Sequence, residues 1–379
     1  MIVLVQGVAV ILILITLVPL SRSHLWWIRI FDYPRAQIAA GLILAAALLI
    51  AFDSGSITTV ALALGTAACA LYQLVQIVRY TPLWPVQTLE GERPPDDVRV
   101  RILLANVLMH NRESERLVRL VEAERPDLFL AVETDDWWDE RLRPLEDRMP
   151  HTCHEPLPNT YGLHFFSRLE VRDVLIRHLV EPDIPSVRAD VQLPSGDWIE
   201  FIGVHPKPPD INQDVAERDA ELVLVGREAH ATERPVIVAG DLNDVAWSHT
   251  TRLFQRISGL LDPRVGRGLY STFPAHLPFL RWPLDHLFHD RRFTLVEIRR
   301  LPNIGSDHFP VLVELALQPE VGRAVEPPRP EPGDHHEARR KIGLVLPKLR
   351  ARARDFRRRH PRLRLPRRRS RRRSSGGGQ

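Results

Sequence analysis

The tripeptide Ser306-Asp307-His308 stands directly before the apolar run FPVLVEL. It belongs to a set of polar residues placed at or near the ends of strand-like segments: Asn106, Glu133, His205, Asp241, Asn243 and Asp285. Side chains that converge from several strand ends can chelate a divalent cation and flank a phosphate, which none of them could do alone. Hydrolysing a phosphodiester near neutral pH requires neutralised phosphoryl oxygens, an activated water and help for the leaving oxygen. The set contains residue types suited to all three tasks.

Glu133 closes PDLFLAVE, and a carboxylate at a strand end beside a cleft is a natural ligand for Mg²⁺ or Mn²⁺. Asp241-Leu242-Asn243 follows VIVAG, and a spacing of two on extended backbone predicts that both side chains face the same way. Asp241 can then position the attacking water or take its proton, while Asn243 donates to a phosphoryl oxygen. His308 needs a partner to serve as general base or charged stabiliser. Asp285, in PLDHLF, is the best candidate, because a carboxylate on one imidazole nitrogen fixes the tautomer and raises basicity. The adjacent Asp307 points elsewhere and can serve the metal. His205, in the Pro-rich GVHPKPP, can be aimed at the substrate phosphate or leaving group, and Asn106, ending RILLAN, can orient Glu133 or a metal-bound water. His110, His164 and His286 are expected to be structural or solvated.

Other chemistries find no support. The chain has no G-x-S-x-G elbow, P-loop or H-E-x-x-H, and Gly266-Arg267-Gly268 lacks the rest of a dinucleotide loop. Cys69 and Cys153 are the only cysteines, which excludes a disulfide framework and a cysteine metal site.

The residues of the set require a mixed scaffold to bring them together. Apolar runs at 99–105, 127–132, 163–166, 198–204, 235–239, 284–288 and 311–315 read as strands, and 113–124 and 213–230 carry helical spacing. Strands and helices mixed over residues 98–317 predict one α/β-type domain. Ahead of it lies a far more apolar region. Ile2 to Leu20 holds 14 Ile, Leu or Val in 19 positions and lacks the basic n-region and small-residue cleavage site of a signal peptide. With 38–52 and 57–78 it predicts three membrane spans within residues 1–80, joined to the domain by a Pro-rich linker at 81–97. Arg22, Arg29 and Arg35 lie between the first two spans and Arg79 follows the third, so the positive-inside rule places the domain on the cytoplasmic side of an inner or plasma membrane.

The net charge of +4 conceals an asymmetry, because Arg339 to Arg373 carries 18 Lys and Arg against the single acid Asp355. The rest of the protein is therefore acidic. Residues 318–379, a Pro-rich stretch and then this Arg-rich tail, are expected to be disordered in isolation. The stretch 341–354 could lie on a membrane as a basic amphipathic helix, although Pro347 should break it. The tail suits nucleic acid and anionic lipid equally well.

In order and context, LLANV, PDLFLAVE, YGLHFFSR, GVHPKPP, VIVAGDLND, Thr272-Phe273, PLDHLF and GSDHFPV resemble the endonuclease/exonuclease/phosphatase superfamily, which includes deoxyribonuclease I and the neutral sphingomyelinases. The resemblance implies a four-layered α/β sandwich, two packed mixed sheets flanked by helices, here preceded by the three transmembrane helices. It also implies a Mg²⁺-dependent phosphoesterase. Carried over by position, Glu133 resembles the principal metal ligand, with Asn106 and Asp307 close to the metal. Asp241 resembles the residue that orients the nucleophile, Asn243 the phosphate-binding amide, Asp285 and His308 the Asp-His pair, and His205 a phosphate-contacting histidine. Tyr161 and Ser167-Arg168 look like the family's structural strand, with Arg168 a further contributor. Leu108 stands where some members carry a second acid. The resemblance thus implies a membrane-anchored phosphodiesterase of nuclease-like type. Hydrolysis of a phospholipid or phosphorylated headgroup, or an idle membrane-tethered adaptor, are the alternatives.

Overall fold

The computed structural model describes residues 1–91, 94–210 and 214–359. Its N-terminal part is helical: α1 (Ile2–Leu17), the short α2 (Trp26–Arg29), α3 (Arg35–Asp53) and α4 (Ile57–Ile77). Three stretches are long and apolar enough to cross a membrane, Ile2–Ser21, Arg35–Asp53 and Ile57–Tyr80, with mean hydropathies of 2.8, 2.0 and 1.7. They coincide with the three spans expected at 2–20, 38–52 and 57–78. Small residues let the helices approach, with Ala9, Ala45 and Ala63 buried in their common seam. Polar contacts reinforce the packing. Gln73 Nε2 donates to Thr16 Oγ1 at 3.1 Å, and Arg35 Nη1 donates to Gln73 Oε1 at 2.8 Å.

The body contains two sheets. The first has six strands in the order β10-β11-β1-β2-β4-β3: β1 (Arg99–Asn106), β2 (Leu128–Val132), β3 (His151–Glu155), β4 (Leu163–Ser167), β10 (Phe293–Arg300) and β11 (Val311–Leu317). The second has five strands in sequence order: β5 (Val171–Arg177), β6 (Ser186–Gln192), β7 (Trp198–Val204), β8 (Val236–Asp241) and β9 (Asp285–His289). The β1–β2 and β7–β8 pairs are parallel and all other pairs antiparallel.

Strand periodicity explains the layering. Ile102 and Leu104 of β1 face inward to meet Phe165, Phe201 and Ile237 in the core between the sheets. The alternate residues Leu103 and Ala105 pack outward against Leu117 and Val121 of α5 (Ser114–Glu124) and against Trp138 and Leu142 of α6 (Asp136–Leu142). On the far side, Ile202, Val204 and Val238 pack against Leu222 and Val225 of α7 (Ala216–Ala231) and Phe254 of α8 (His249–Ser258). Central strands covered on both faces read as continuous apolar runs, and this is why β1, β2, β7 and β8 stand out in the sequence. The result is the four-layered α/β sandwich implied by the resemblance.

Within the body, the elements absent from the sequence reading are β3, β5, β6, β10, α6 and α8. Strand β5 lies at a sheet edge, has no fully buried residue and carries a register shift between Arg172 and Leu175, which disrupts its alternation.

The 81–97 linker packs on the body: Thr88 Oγ1 donates to His289 Nε2 at 2.9 Å, Gln87 Oε1 accepts from the Asp262 amide at 2.9 Å, and Glu90 bridges to Leu295. One expectation for the C-terminal segment is corrected. Beyond Leu317 the chain is not disordered throughout. It forms α9 (Pro319–Gly322) and then α10 (Asp334–Arg359), which runs through Pro347. Helix α10 docks on the body: Ala338 and Ile342 pack with Val223, Leu253 and Ile257, and Lys341 Nζ lies 2.6 Å from Asp219 Oδ2. The apolar positions within the charge run have a partner in the outer α7–α8 layer, which composition alone does not reveal. The tail from 360 to 379 lies outside the described residues.

Candidate active site

Both parallel pairs end at the same edge of the sandwich. Asn106, the last residue of β1, is in register with Val132, so Glu133 emerges beside it. On the second sheet Val204 is in register with Gly240, which sets His205 next to Asp241. Asp241 in turn is paired across the ladder with Asp285. Gly240 makes this close approach possible: its φ is +146°, and a Cβ there would fall 1.9 Å from the Val204 carbonyl oxygen. The Ser306-Asp307-His308 turn precedes β11, the neighbour of β1, and is tied down by Ser306 Oγ. That hydroxyl donates to the Asn106 carbonyl at 2.8 Å and accepts from the His308 amide at 3.0 Å.

The side chains form one connected network. Asn106 Nδ2 donates to Glu133 Oε1 at 2.8 Å and to Asp241 Oδ2 at 3.0 Å, linking a residue of each sheet. His308 Nδ1 donates to Asp285 Oδ2 at 2.8 Å, and its Nε2 lies 3.6 Å from Asp241 Oδ2. His205 Nε2 lies 3.9 Å from the same oxygen, while its buried Nδ1 has no hydrogen-bond partner among the described residues. Asn106, His205, Asp241, Asp285 and His308 are buried, whereas Glu133, Asn243 and Asp307 are partly accessible. Those three, with the edge of His308, line a cavity of about 630 Å³.

The sequence expectation for Asp241 and Asn243 is corrected in one respect. The backbone does not continue extended, because Asn243 has φ +49° and its amide donates to Asp241 Oδ1 at 2.8 Å. An Asx turn, rather than strand alternation, turns Asn243 towards the cavity. Glu133 likewise lies one residue beyond the end of β2 with φ +63°, and Leu108 has φ +57°. Left-handed backbone at three non-glycine residues in one site is costly, and is found where a function or dense surrounding packing demands it.

Electrostatics divide the site in two. Burial disfavours the cationic form of His308, but Asp285, Asp241 and Asp307 outweigh it and raise its pKa to about 10. Burial also raises Asp241, opposed by His308. For His205 burial again dominates and lowers the pKa. The atoms of Asp241, Asp285 and His308 all converge within 4.8 Å. That trio is already occupied internally, with the imidazolium placed between two carboxylates, and it is a poor cation site.

The accessible half differs. Glu133 is raised, chiefly by burial and further by the neighbouring charge of Asp307. Among the described residues neither acid forms a salt bridge. Two carboxylates facing one cavity without a basic partner, with the Asn106 amide beside them, form a donor set that fits a hard divalent cation.

Several contacts were not legible locally. Thr272 Oγ1 accepts from the Leu284 and Asp285 amides at 3.3 and 3.4 Å, fixing the start of β9. The Asn243 carbonyl accepts from Tyr33 Oη at 2.8 Å and from Arg218 Nη1 at 2.7 Å, partners far away in sequence. His164 donates from Nε2 to Asp139 and accepts from Thr134 Oγ1, buttressing the residue after Glu133, and His286 donates to the Asp244 carbonyl. His110 is exposed. Arg168 does not join the site. It pairs with Asp127 at the opposite end of β2.

The profile of the Endonuclease/Exonuclease/phosphatase family matches residues 103–308, more than half of the chain. No curated protein matches. Similar solved structures include humanized D. rerio TDP2, at 16% identity over 57% of this chain and 99% of that one, with a TM-score of 0.48. The human nocturnin catalytic domain shares 16% identity over 63% and 100% at 0.49, and an endonuclease/exonuclease/phosphatase from Beutenbergia cavernae shares 18% over 58% and 72% at 0.47.

Proposed function

This chain belongs to the Endonuclease/Exonuclease/phosphatase family, and from that premise we propose that it is a membrane-anchored, divalent-cation-dependent phosphodiesterase. The observation that carries the reading is the single network in which Asn106 joins Glu133 to Asp241 while His308 stands between Asp241 and Asp285. Glu133 and Asp307, with Asn106 beside them, would hold Mg²⁺ or Mn²⁺. Such an ion neutralises charge on the phosphoryl oxygens.

The chain's own residues supply the rest. Asn243, at the cavity wall, offers a phosphoryl oxygen the amide proton not engaged by the Pro206 carbonyl, and His205, beside Asp241, has an Nδ1 without a partner among the described residues. Asp241 orients a water and takes one of its protons as the new O–P bond forms. The P–O bond to the leaving alcohol breaks, its electron pair passes to the leaving oxygen, and His308 Nε2 supplies the proton. The 3.6 Å separation then lets Asp241 return its proton to His308. Water and diester have become an alcohol and a phosphate monoester, and the site is restored. Asp285 holds the imidazole in place throughout and favours its charged form.

The assay is direct: full-length protein in detergent with Mg²⁺ on the small diester bis(4-nitrophenyl) phosphate. Turnover that vanishes with chelator and with Asp241→Asn supports the reading, and turnover indifferent to both refutes it. We place the body on the cytoplasmic side, which is supported by Arg22, Arg29, Arg35 and Arg79 at the ends of the spans. A C-terminal reporter active only outside the cytoplasm would reverse that orientation.

A further inference from the structure

The apolar half of the catalytic cavity comes from the segment between the first two spans. Trp26, Ile30, Phe31 and Pro34 line it together with Leu280 and Trp282, and the same cavity is lined by Glu133, Asp307 and His308. The interspan segment is built into the body. Arg29 Nη1 pairs with Asp32 at 2.9 Å and its Nη2 with Asp244 at 3.6 Å, Trp247 Nε1 donates to the Asp32 carbonyl at 2.7 Å, and Tyr33 holds the carbonyl of Asn243. A segment bounded by a span on each side must lie at the bilayer surface, so the cavity opens there as well.

Exposed side chains nearby mark the same plane. Phe279 is 89% exposed at the tip of the 274–281 loop, and its carbonyl accepts from Gln37 Nε2, two residues into α3, at 2.8 Å. Leu83, immediately beyond the third span, is 86% exposed. Large apolar side chains left bare beside span ends are accounted for when the surface is a bilayer. Arg281 and Arg300 stack on Phe309 next to this loop and, among the described residues, pair with no carboxylate. They suit an anionic headgroup layer.

We infer that the substrate is a phospholipid drawn sideways from the bilayer, its chains against Trp26–Pro34 and Leu280 and its phosphodiester at the Glu133–His308 end. This rests on the proposed phosphodiesterase reading and specifies its substrate class. Water attacks phosphorus, the P–O bond to one alcohol breaks, and that alcohol takes a proton of the water, leaving one alcohol and one phosphate monoester. The aromatic rings of this lining would also stack nucleobases, but a nucleic acid strand gains nothing from the aliphatic side chains Ile30 and Leu280 or from continuity with the membrane.

The test uses full-length protein with Mg²⁺ in vesicles of a mixed polar-lipid extract whose phosphorus is radiolabelled. Bis(4-nitrophenyl) phosphate and a DNA oligonucleotide are assayed in parallel. The expected result is conversion of labelled lipid to water-soluble phosphate or to a new lipid phosphate. Ile30→Asp and Leu280→Asp should each lower the ratio of lipid to small-diester turnover by about tenfold or more. Phe279→Asp, at a position with no packing to lose, should lower the same ratio and guards against a folding defect in the other two. Hydrolysis of the small diester with labelled lipid untouched, DNA turned over in preference to lipid, or ratios unchanged in all three variants would overturn the lipid proposal while leaving the phosphodiesterase reading in place. Failure on every substrate would instead remove that reading, and the lipid proposal with it.

Discussion

His308 donates from Nδ1 to Oδ2 of Asp285 at 2.8 Å, and this bond directs its Nε2 towards Asp241 beside the cavity that Glu133 and Asp307 also line. The two residues lie 23 positions apart and reach each other from the start of β9 and the turn before β11. Because Asp285 fixes both the orientation and the charge of the imidazole, Asp285→Asn should lower kcat by roughly 10²- to 10⁴-fold with little change in KM. His308→Ala should cost about as much, and the double variant no more than either alone, as expected of residues acting as a unit. Steady-state kinetics on bis(4-nitrophenyl) phosphate decide the point, and additive losses would separate the pair.

Glu133 and Asp307 face the cavity without a basic partner among the described residues, so activity should disappear with chelator and return with Mg²⁺ or Mn²⁺. Glu133→Gln removes one charged donor. Asn106→Ala removes the group that holds Glu133 and Asp241 in register at 2.8 and 3.0 Å. Each should raise the Mg²⁺ concentration for half-maximal activity by about 10- to 100-fold. A metal titration reads this directly, and an unchanged half-maximal concentration in Glu133→Gln would remove it from the metal side.

The polar set was legible because each member lies at or next to one end of a segment whose apolar character the core enforces: VIVAG must be buried, so Asp241 must emerge at its end. What could not be read was the nature of the turns. Asp241 and Asn243 are related by an Asx turn with a left-handed residue, which a spacing of two does not distinguish from strand alternation. The docking of α10 and of the interspan segment was also hidden. Their contacts, Lys341 with Asp219 and Arg29 with Asp244, join residues 122 and more than 200 positions apart, and no local pattern marks either partner. A charge run with apolar interruptions fits a membrane surface, a partner helix or the protein's own body equally well.

Arg29 makes that docking testable. Its guanidinium is buried against Asp32 and Asp244, and Asp244 also faces Arg218 at 3.2 Å. Removing one member of a buried charge cluster leaves the others uncompensated, so Arg29→Met should destabilise the protein by about 3–5 kcal/mol. It should also slow turnover, because the loop carrying Asn243 loses support. Arg22→Met removes an exposed guanidinium 3.7 Å from Glu337, whose carboxylate keeps His249 as a partner, and should change stability by less than about 1 kcal/mol. Thermal unfolding in detergent compares the two. By the same argument the 98–317 segment alone should fold poorly, since it would bare Trp247 where Tyr80 now packs and leave Asp244 without Arg29.

Glu221 gives stability a pH dependence separate from the active site. It is buried on α7, its Oε1 has no hydrogen-bond partner among the described residues, and burial, reinforced by the charge of Glu181, raises its pKa to about 8. The folded state therefore keeps a proton that the unfolded chain releases near pH 4. Stability from this group is fully present below about pH 4 and declines as pH rises towards 8, at up to roughly 1.4 kcal/mol per unit, because in that window the native state binds more protons than the unfolded one. Above about pH 8 both states are ionised and the slope flattens. Glu221→Gln keeps the shape of the neutral acid and removes the titration. The variant should match the parent near pH 4 and exceed it by a few kcal/mol at pH 8. Denaturant unfolding across that range measures the difference, and a variant that follows the parent's slope at every pH would exclude Glu221 as its source.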